Sequence, residues 1–165
     1  MTLLRRTRRD EGGFTLIELM VVILVIAVLL AIAIPTFFRA RQQANDRAVQ
    51  ANVRNALTAT RIFYNDAQEY SDVPAEMTGI EPSLTWITVP LDSSANSRSI
   101  YLAVYDTPAM AQTVVVGGRT DEGRCFYIRD IMGGSTAGTY YDEDVDGNAS
   151  CPAPDPDLIS QSTWD

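Results

Sequence analysis

Glu18 is the residue whose type and position say most about chemistry. It is the only ionisable side chain in the otherwise uncharged segment from Phe14 to Ile34. An unpaired carboxylate at the centre of a bilayer costs about 3 kcal/mol on insertion scales. A helix that served only as a membrane anchor would gain nothing from that cost. We therefore expect Glu18 to have a functional partner.

The composition excludes several kinds of catalytic chemistry. All 13 basic residues are Arg, and the chain has no His and no Lys. Histidine acid–base catalysis, histidine metal ligands and lysine Schiff bases are therefore ruled out. Carboxylate pairs remain, but no spacing singles out one pair. We predict that the chain is not an enzyme.

A second group of chemically active side chains lies near the C-terminus. Carboxylates occur at alternate positions and are followed by glycine, as in the first half of a calcium loop: Asp142, Asp144, Asp146 and Gly147. Ala153 then stands where such a loop has a bidentate Glu, so Asp155, Asp157 or backbone carbonyls would have to complete the shell. The sequence predicts calcium as a possible ligand; the alternative is a solvated acidic turn.

Arginine placement predicts the orientation of the chain in a membrane. Four arginines precede the apolar segment, and only Arg39 and Arg41 follow it closely. The positive-inside rule then places the N-terminus in the cytoplasm and residues 35–165 outside. Those residues hold 9 Arg and 18 Asp or Glu, a net charge of −9. Such an acidic body repels nucleic-acid backbones, so we predict no direct nucleic-acid binding.

The two cysteines, Cys125 and Cys151, both fall in the predicted exterior part. A disulfide there would contribute about 3 kcal/mol in the chain-entropy model. It would also close a loop whose glycine-rich stretch, 133–138, lacks a strong core signal. Two separate buried thiols are the alternative, but disulfides form and persist outside the cell. We expect a Cys125–Cys151 bridge.

A long helix must carry Glu18. We predict one helix from Phe14 to about Gln68, kinked at Pro35, with a first half long enough to span a bilayer. Beyond Pro35 it has two neighbouring stripes at helical spacing. The first is Phe37, Ala40, Ala44, Ala48 and Ala51; the second is Val49, Val53, Ala56, Thr60 and Phe63. We expect the alanine stripe to pack against the chain's own sheet.

The remaining sequence favours a sheet. Proline and glycine mark a loop over about 73–82. Segments rich in β-branched and aromatic residues follow, separated by short connectors: Leu84–Val89, Ile100–Tyr105, Thr113–Val116 and Cys125–Ile128. Short connectors favour an antiparallel meander. The predicted fold is therefore α+β, with a long N-terminal helix packed on an antiparallel sheet.

The segment Gly12-Gly13-Phe14-Thr15-Leu16-Ile17-Glu18 follows an arginine-rich leader and opens the apolar helix. It resembles the class III signal of type IV pilins and pseudopilins, and the resemblance covers residues 12 to about 35. The resemblance implies that a prepilin peptidase cleaves between Gly13 and Phe14 and that the new Phe14 amine is methylated. An ordinary signal peptidase acting near 31–33 is the other possible route. Only cleavage before the helix explains Gly12, Gly13 and Glu18.

This resemblance implies three regions: a leader (1–13), a transmembrane and assembly helix (14–35) and an extracellular pilin domain (36–165). The predicted function is that of a structural subunit, major or minor, of a type IV pilus-like filament, in which Glu18 sets the register between subunits. The implied partners are the prepilin peptidase, other pilin subunits, the inner membrane and the pilus assembly machinery. The implied location is the cytoplasmic membrane before assembly and an extracellular filament afterwards.

Two alternative functions remain open. The first is a pseudopilin of a type II secretion system. The second is a membrane-tethered or secreted calcium-dependent binding module, which cleavage near 31–33 would release.

Overall fold

The computed structural model describes residues 13–107, 110–144 and 150–164. In chain order, its elements are α1 (Leu16–Ala67), α2 (Pro74–Ile80), β1 (Thr85–Ile87), β2 (Ser99–Thr107), β3 (Met110–Arg119), β4 (Cys125–Ile131), β5 (Gly138–Asp144) and a short 3-10 helix (Pro156–Leu158). These elements confirm the predicted α+β class. The chain divides into an N-terminal unit, residues 1–40, and a C-terminal unit, residues 41–165.

Local signals explain both ends of α1. The Thr15 hydroxyl accepts a hydrogen bond from the Glu18 backbone N–H at 3.2 Å, so Thr15 acts as the N-cap. The helix continues through Pro35. At its C-terminal end Gln68 adopts the left-handed conformation, with φ 61°, and its N–H donates to the Tyr64 carbonyl at 2.7 Å. The predicted single helix is thus present over nearly the predicted range.

The N-terminal unit exposes its apolar side chains. An 18-residue window of α1 has a mean hydropathy of 3.2, and none of that window is buried. The helix is long and apolar enough to cross a membrane.

In the C-terminal unit, the valine stripe of α1 faces the sheet and the alanine stripe does not. Val49 and Val53 are fully buried, whereas Ala44, Ala48 and Ala51 are exposed. The prediction that the alanine stripe packs on the sheet was therefore wrong. Valine removes more apolar surface from water than alanine does, so the helix turns its larger side chains inward.

The strands follow one another in the sheet in the order β1-β2-β3-β4-β5. The pairs from β2 to β5 are antiparallel, as the short connectors predict. Strand β1 instead pairs parallel to β2, because residues 88–98 run back along the sheet before β2 begins. The segment predicted as a loop contains α2, which starts with Pro74 at a position that proline favours. Strand β5 was not predicted.

Both faces of the sheet are covered. The face toward α1 is lined by apolar residues of the three central strands: Ile100, Leu102, Val114, Val116, Phe126 and Ile128. On the opposite face Tyr101, Val115 and Tyr127 pack with Leu91 and Ile159. The loop before β2 and the C-terminal segment therefore form a third layer.

The C-terminal segment also reaches the edge of the sheet. Gln161 and Tyr141 exchange two backbone hydrogen bonds, of 2.8 and 3.1 Å, on the free side of β5. The Trp164 ring packs edge-on against Phe126 and Tyr141. The Trp164 indole N–H donates to the Asp142 carbonyl at 3.0 Å. The segment thus protects an edge strand and adds an aromatic group to the core beside α1.

Gly118 on β3 permits the close approach of α1. A Cβ atom at this position would lie 2.7 Å from Val49 Cγ1 and 2.8 Å from Val53 Cγ2. Its neighbour Gly117 leaves space on the other face for the ring of Tyr127, its paired residue on β4, which would lie 2.5 Å from a Cβ at position 117. Gly118 therefore lets α1 approach the β3 backbone, and Gly117 lets the Tyr127 ring lie across it.

Replacing Gly118 by alanine should destabilise the C-terminal unit by about 2 kcal/mol, because an added methyl group overpacks this contact. Thermal unfolding of the full chain in detergent, followed by circular dichroism, measures the effect. Gly79→Ala is the matched control, since a Cβ there meets nothing within 4 Å and lies on a helix. Equal melting temperatures for the two variants would contradict the close-packing role of Gly118.

A buried carboxylate ties the C-terminal part of α1 to β4 and β5. Asp130 is almost fully buried and accepts two hydrogen bonds from Arg61, at 2.9 and 2.6 Å. The hydroxyls of Tyr70 and Thr139 donate to the same carboxylate at 2.6 and 2.8 Å. Burial by itself raises the pKa of Asp130, but the hydrogen bonds from Arg61, Tyr70 and Thr139 outweigh it, so the net pKa is lowered.

This lowered pKa predicts an acid-sensitive contribution to stability. The contribution is present above the unfolded-state pKa of about 4 and is lost as the pH falls through the folded-state pKa. Asp130→Asn should therefore lower the free energy of unfolding by about 2 kcal/mol relative to the wild type at neutral pH. This difference between the two proteins should shrink in acid. Urea unfolding at neutral pH and in acid measures both. Asp72→Asn, which changes an exposed carboxylate, is the control. If the difference in unfolding free energy between Asp130→Asn and the wild type does not change with pH, the lowered pKa of Asp130 does not contribute to stability.

Candidate assembly helix and acidic cavity

The N-terminal end of α1 presents the predicted processing residues on an open surface. Gly13 and Phe14 are exposed, Phe14 to 85%, and nothing lies within 4 Å of a Cβ built on Gly13. Sequence reasoning missed the role of Thr15 as N-cap. The signal was available, because Thr15 and Glu18 have the Ser/Thr-x-x-Glu spacing of a capping box. Thr15 therefore sets the helix start directly after these two residues.

Glu18 lies in the first turn of α1 and is exposed. Its side chain forms no ion pair within the described part of the chain. The positive end of the helix dipole favours a negative charge at this position. The apolar side chains on both sides of it in sequence are also exposed, from Leu16 to Phe38. The helix therefore carries one carboxylate on an apolar surface that has no cover within the described chain.

The predicted disulfide is present. The Cys125 and Cys151 sulfurs are bonded at 2.04 Å, with their Cα atoms 5.7 Å apart. Cys125 begins β4, and Cys151 forms an isolated bridge with Leu91, to whose carbonyl its N–H donates at 2.6 Å. The bond therefore joins the sheet to the outer layer built by the loop and the C-terminal segment.

Two of the three predicted calcium ligands lie in a strand, whereas the sequence predicted a loop. Asp142 and Asp144 lie in β5 rather than in a loop, while Asp146 and Gly147 lie outside the described residues. Asp142, Asp144 and Asp155 line one cavity of about 400 Å³ together with Tyr127 and Pro152. Among the described residues, no three His, Cys, Asp or Glu side chains are close enough together to hold a metal ion. Calcium binding thus remains a prediction that depends on Asp146.

The charges in this cavity affect one another. Burial raises the pKa of Asp142; a backbone hydrogen bond opposes this rise and repulsion from Asp144 adds to it. Burial also raises the pKa of Tyr127, with a further contribution from Asp144. The Tyr127 hydroxyl donates to the Pro152 carbonyl at 2.8 Å. The donor set is all oxygen, which suits a hard cation such as calcium.

Together the fold and the helix define a class of protein: an α+β protein with an exposed, apolar N-terminal helix long enough to cross a membrane. Residues 8–34 match the family described as the prokaryotic N-terminal methylation motif. The chain is 37% identical over 92 residues to the type IV wide pilus major component PilA4 of Thermus thermophilus, covering 54% of this chain and 70% of that protein. The chain belongs to the type IV pilin family. No solved structure matches it significantly.

Two further relatives are also pilus proteins. The type IV major pilin protein PilA of Myxococcus xanthus is 38% identical over 39% of this chain and 30% of its own length. The type IV narrow pilus major component PilA5 of Thermus thermophilus is 50% identical over 32% of this chain and 41% of its own length. These relatives are structural pilins rather than enzymes. They confirm the predicted family and the predicted function as a structural pilus subunit that assembles with other pilin subunits.

Calcium should raise the melting temperature of the full chain if Asp142, Asp144 and Asp146 hold the ion, as the sequence predicts. Extracellular sites of this type bind at about 0.1–1 mM, so several millimolar calcium, or its removal by chelator, should shift the unfolding transition. Asp144→Asn and Asp146→Asn should each abolish the shift. The control is Asp92→Asn, which lies in the loop before β2. A shift that persists in both aspartate variants would place the ion elsewhere.

Proposed function

We propose that the chain is cleaved between Gly13 and Phe14 and is then built into a type IV pilus through α1. The observation that carries this proposal is Glu18, a carboxylate with no ion-pair partner in the described chain on a helix whose apolar side chains are exposed. Water, lipid and a filament interior are the possible surroundings of such a helix. Only the filament interior offers both apolar cover and a cationic partner for the carboxylate.

The partner is the Phe14 amine of a neighbouring subunit. Prepilin peptidase cleavage frees this amine, which is then methylated. Glu18 follows Phe14 by four residues, about one helical turn. In an apolar core, attraction between opposite charges is weakly screened, while an unpaired charge is costly. Apolar packing along the helix supplies cohesion, and the ion pair selects one register between subunits.

Before assembly the chain is held in the cytoplasmic membrane with its N-terminus inside. Residues 1–13 form the leader, residues 14–35 cross the bilayer, and residues 36–165 lie outside. The inner membrane and the pilus assembly machinery are then partners of the subunit. Arginines in the leader support this orientation, and so does the Cys125–Cys151 disulfide, because such bonds persist outside the cytoplasm.

Replacing Glu18 by valine should leave membrane insertion intact and abolish filaments, because the register-setting charge is lost while the helix becomes more apolar. Filaments are sheared from the native cell, quantified by electron microscopy and analysed by mass spectrometry. We expect the wild-type chain to begin with a methylated Phe14. We expect the Glu18→Val chain to accumulate in the membrane.

Ile17→Val is the matched control, since it changes an apolar side chain in the same turn without changing charge. It should assemble normally. Normal filaments from Glu18→Val would exclude the ion pair, and a mature chain that begins after residue 30 would exclude retention of the helix.

A further inference from the structure

Charge is divided unevenly along this chain. Residues 36–65, which form the second half of α1, contain five Arg and one acidic residue. Residues 66–165 contain four Arg and 17 Asp or Glu. A cationic helix segment is therefore joined to a strongly anionic remainder, and opposite charges of this kind favour contact between copies of the chain.

The single acidic residue of the helix segment does not reduce its outward charge. Asp46 is buried and forms an ion pair with Arg124. Two of the five arginines are also engaged within the chain: Arg61 binds Asp130, and the Arg54 guanidinium lies 4.7 Å from the Trp164 ring centre. In the C-terminal unit this leaves Arg41 and Arg47, which are exposed and form no ion pair with any described residue.

Arg41 and Arg47 border a strip of exposed, mostly small side chains on the side of α1 opposite to the valine stripe. We call this strip with its two arginines the outer helix face. Its other members are small or medium-sized and exposed, at spacings of three and four residues: Ala44, Ala48, Ala51, Asn55 and Thr58. Since a helix advances by about 100° per residue, Arg41 and Arg47 fall on opposite sides of the strip. The face can therefore approach another surface closely and meet carboxylates on both sides.

Three exposed carboxylates lie at the C-terminal end of the same helix and in the segment directly after it. Asp66, Glu69 and Asp72 are exposed within seven residues and form no ion pair in the described part of the chain. Along the continuous helix Asp66 lies about 28 Å from Arg47, at 1.5 Å per residue. The two groups therefore cannot meet within one chain. They can meet only between two copies that are displaced along the helix axis.

We propose that the outer helix face of one subunit docks on the segment 66–72 of a second copy, with Arg41 and Arg47 paired to its carboxylates. This contact deepens the proposed function and rests on it, because it requires subunits in a filament. It is separate from the Glu18 contact: it lies in the C-terminal unit and depends on exposed, salt-screened charges. It gives the filament a second contact that fixes the axial displacement between subunits. The sensitivity of this contact to salt differs from that of the Glu18 contact.

The test reverses the charges in the full chain in its native cell. The double variant Arg41→Glu, Arg47→Glu should lower the yield of sheared filaments by about tenfold or more, because like charges placed across an interface cost several kcal/mol. Adding Asp66→Arg and Asp72→Arg should restore filaments. Arg98→Glu is the matched control: it reverses an exposed arginine in the loop before β2 and should leave the yield unchanged.

Each outcome decides a separate question. Normal filaments from the double variant would overturn this contact and leave the proposed function intact. Absence of filaments from the wild-type chain would overturn the proposed function and this inference with it. If the reversed segment 66–72 fails to restore assembly although the chain accumulates in the membrane, the arginines face another partner, such as anionic lipid, and the second-copy contact is wrong. Wild-type filaments that are insensitive to about 1 M salt, where the Debye length is about 3 Å, would also contradict it.

Discussion

The contact between α1 and β3 at Gly118 is the constraint on which the rest of the C-terminal unit depends. Val49 and Val53 occupy the space that a side chain at position 118 would need. The helix therefore lies close enough for its valine stripe to share a core with β2, β3 and β4. Once this distance is set, Arg61 falls beside Asp130, and a carboxylate that would be costly alone in the core receives charged and hydroxyl donors.

That packing also decides which side of α1 is left free. A helix has one narrow buried stripe when it packs on a single sheet. With the valines turned inward, the alanines and the unpaired arginines necessarily turn outward. The same helix is therefore both a core element of its own subunit and a surface available to another one. The proposed docking face and the face that forms the core are therefore different sides of the same helix.

The C-terminal segment covers the face of the sheet away from α1 and the free edge of β5. Cys151 is joined to Cys125, Gln161 pairs with the edge of β5, and Trp164 enters the core beside α1. A small sheet of this kind otherwise presents an open edge and an uncovered face. The segment supplies both covers with few residues. It also brings Asp155 to the same cavity as Asp142 and Asp144, although these residues are distant in sequence.

Strong local patterns in the sequence predicted a large part of this structure. The apolar helix with its single carboxylate, four of the five strands, the disulfide and the family all followed from such patterns. Local signals were weaker for β5, which carries three acidic residues and follows a glycine-rich stretch. They were also weaker for the left-handed Gln68 at the end of α1, which takes the place of the usual glycine. The parallel pairing of β1 has no local signal either, because it depends on the path of residues 88–98.

The sequence by itself determined that a long helix would carry Glu18 on an apolar surface, since that follows from residue type and helical spacing alone. Only the tertiary structure decided which helical stripe is buried. Two stripes of similar spacing compete, and the choice depends on side-chain volume against the glycine surface of β3. Only the tertiary structure placed Asp130 against Arg61 and brought Asp155 to the cavity that Asp142 lines, because the arrangement of distant segments depends on packing rather than on any local pattern.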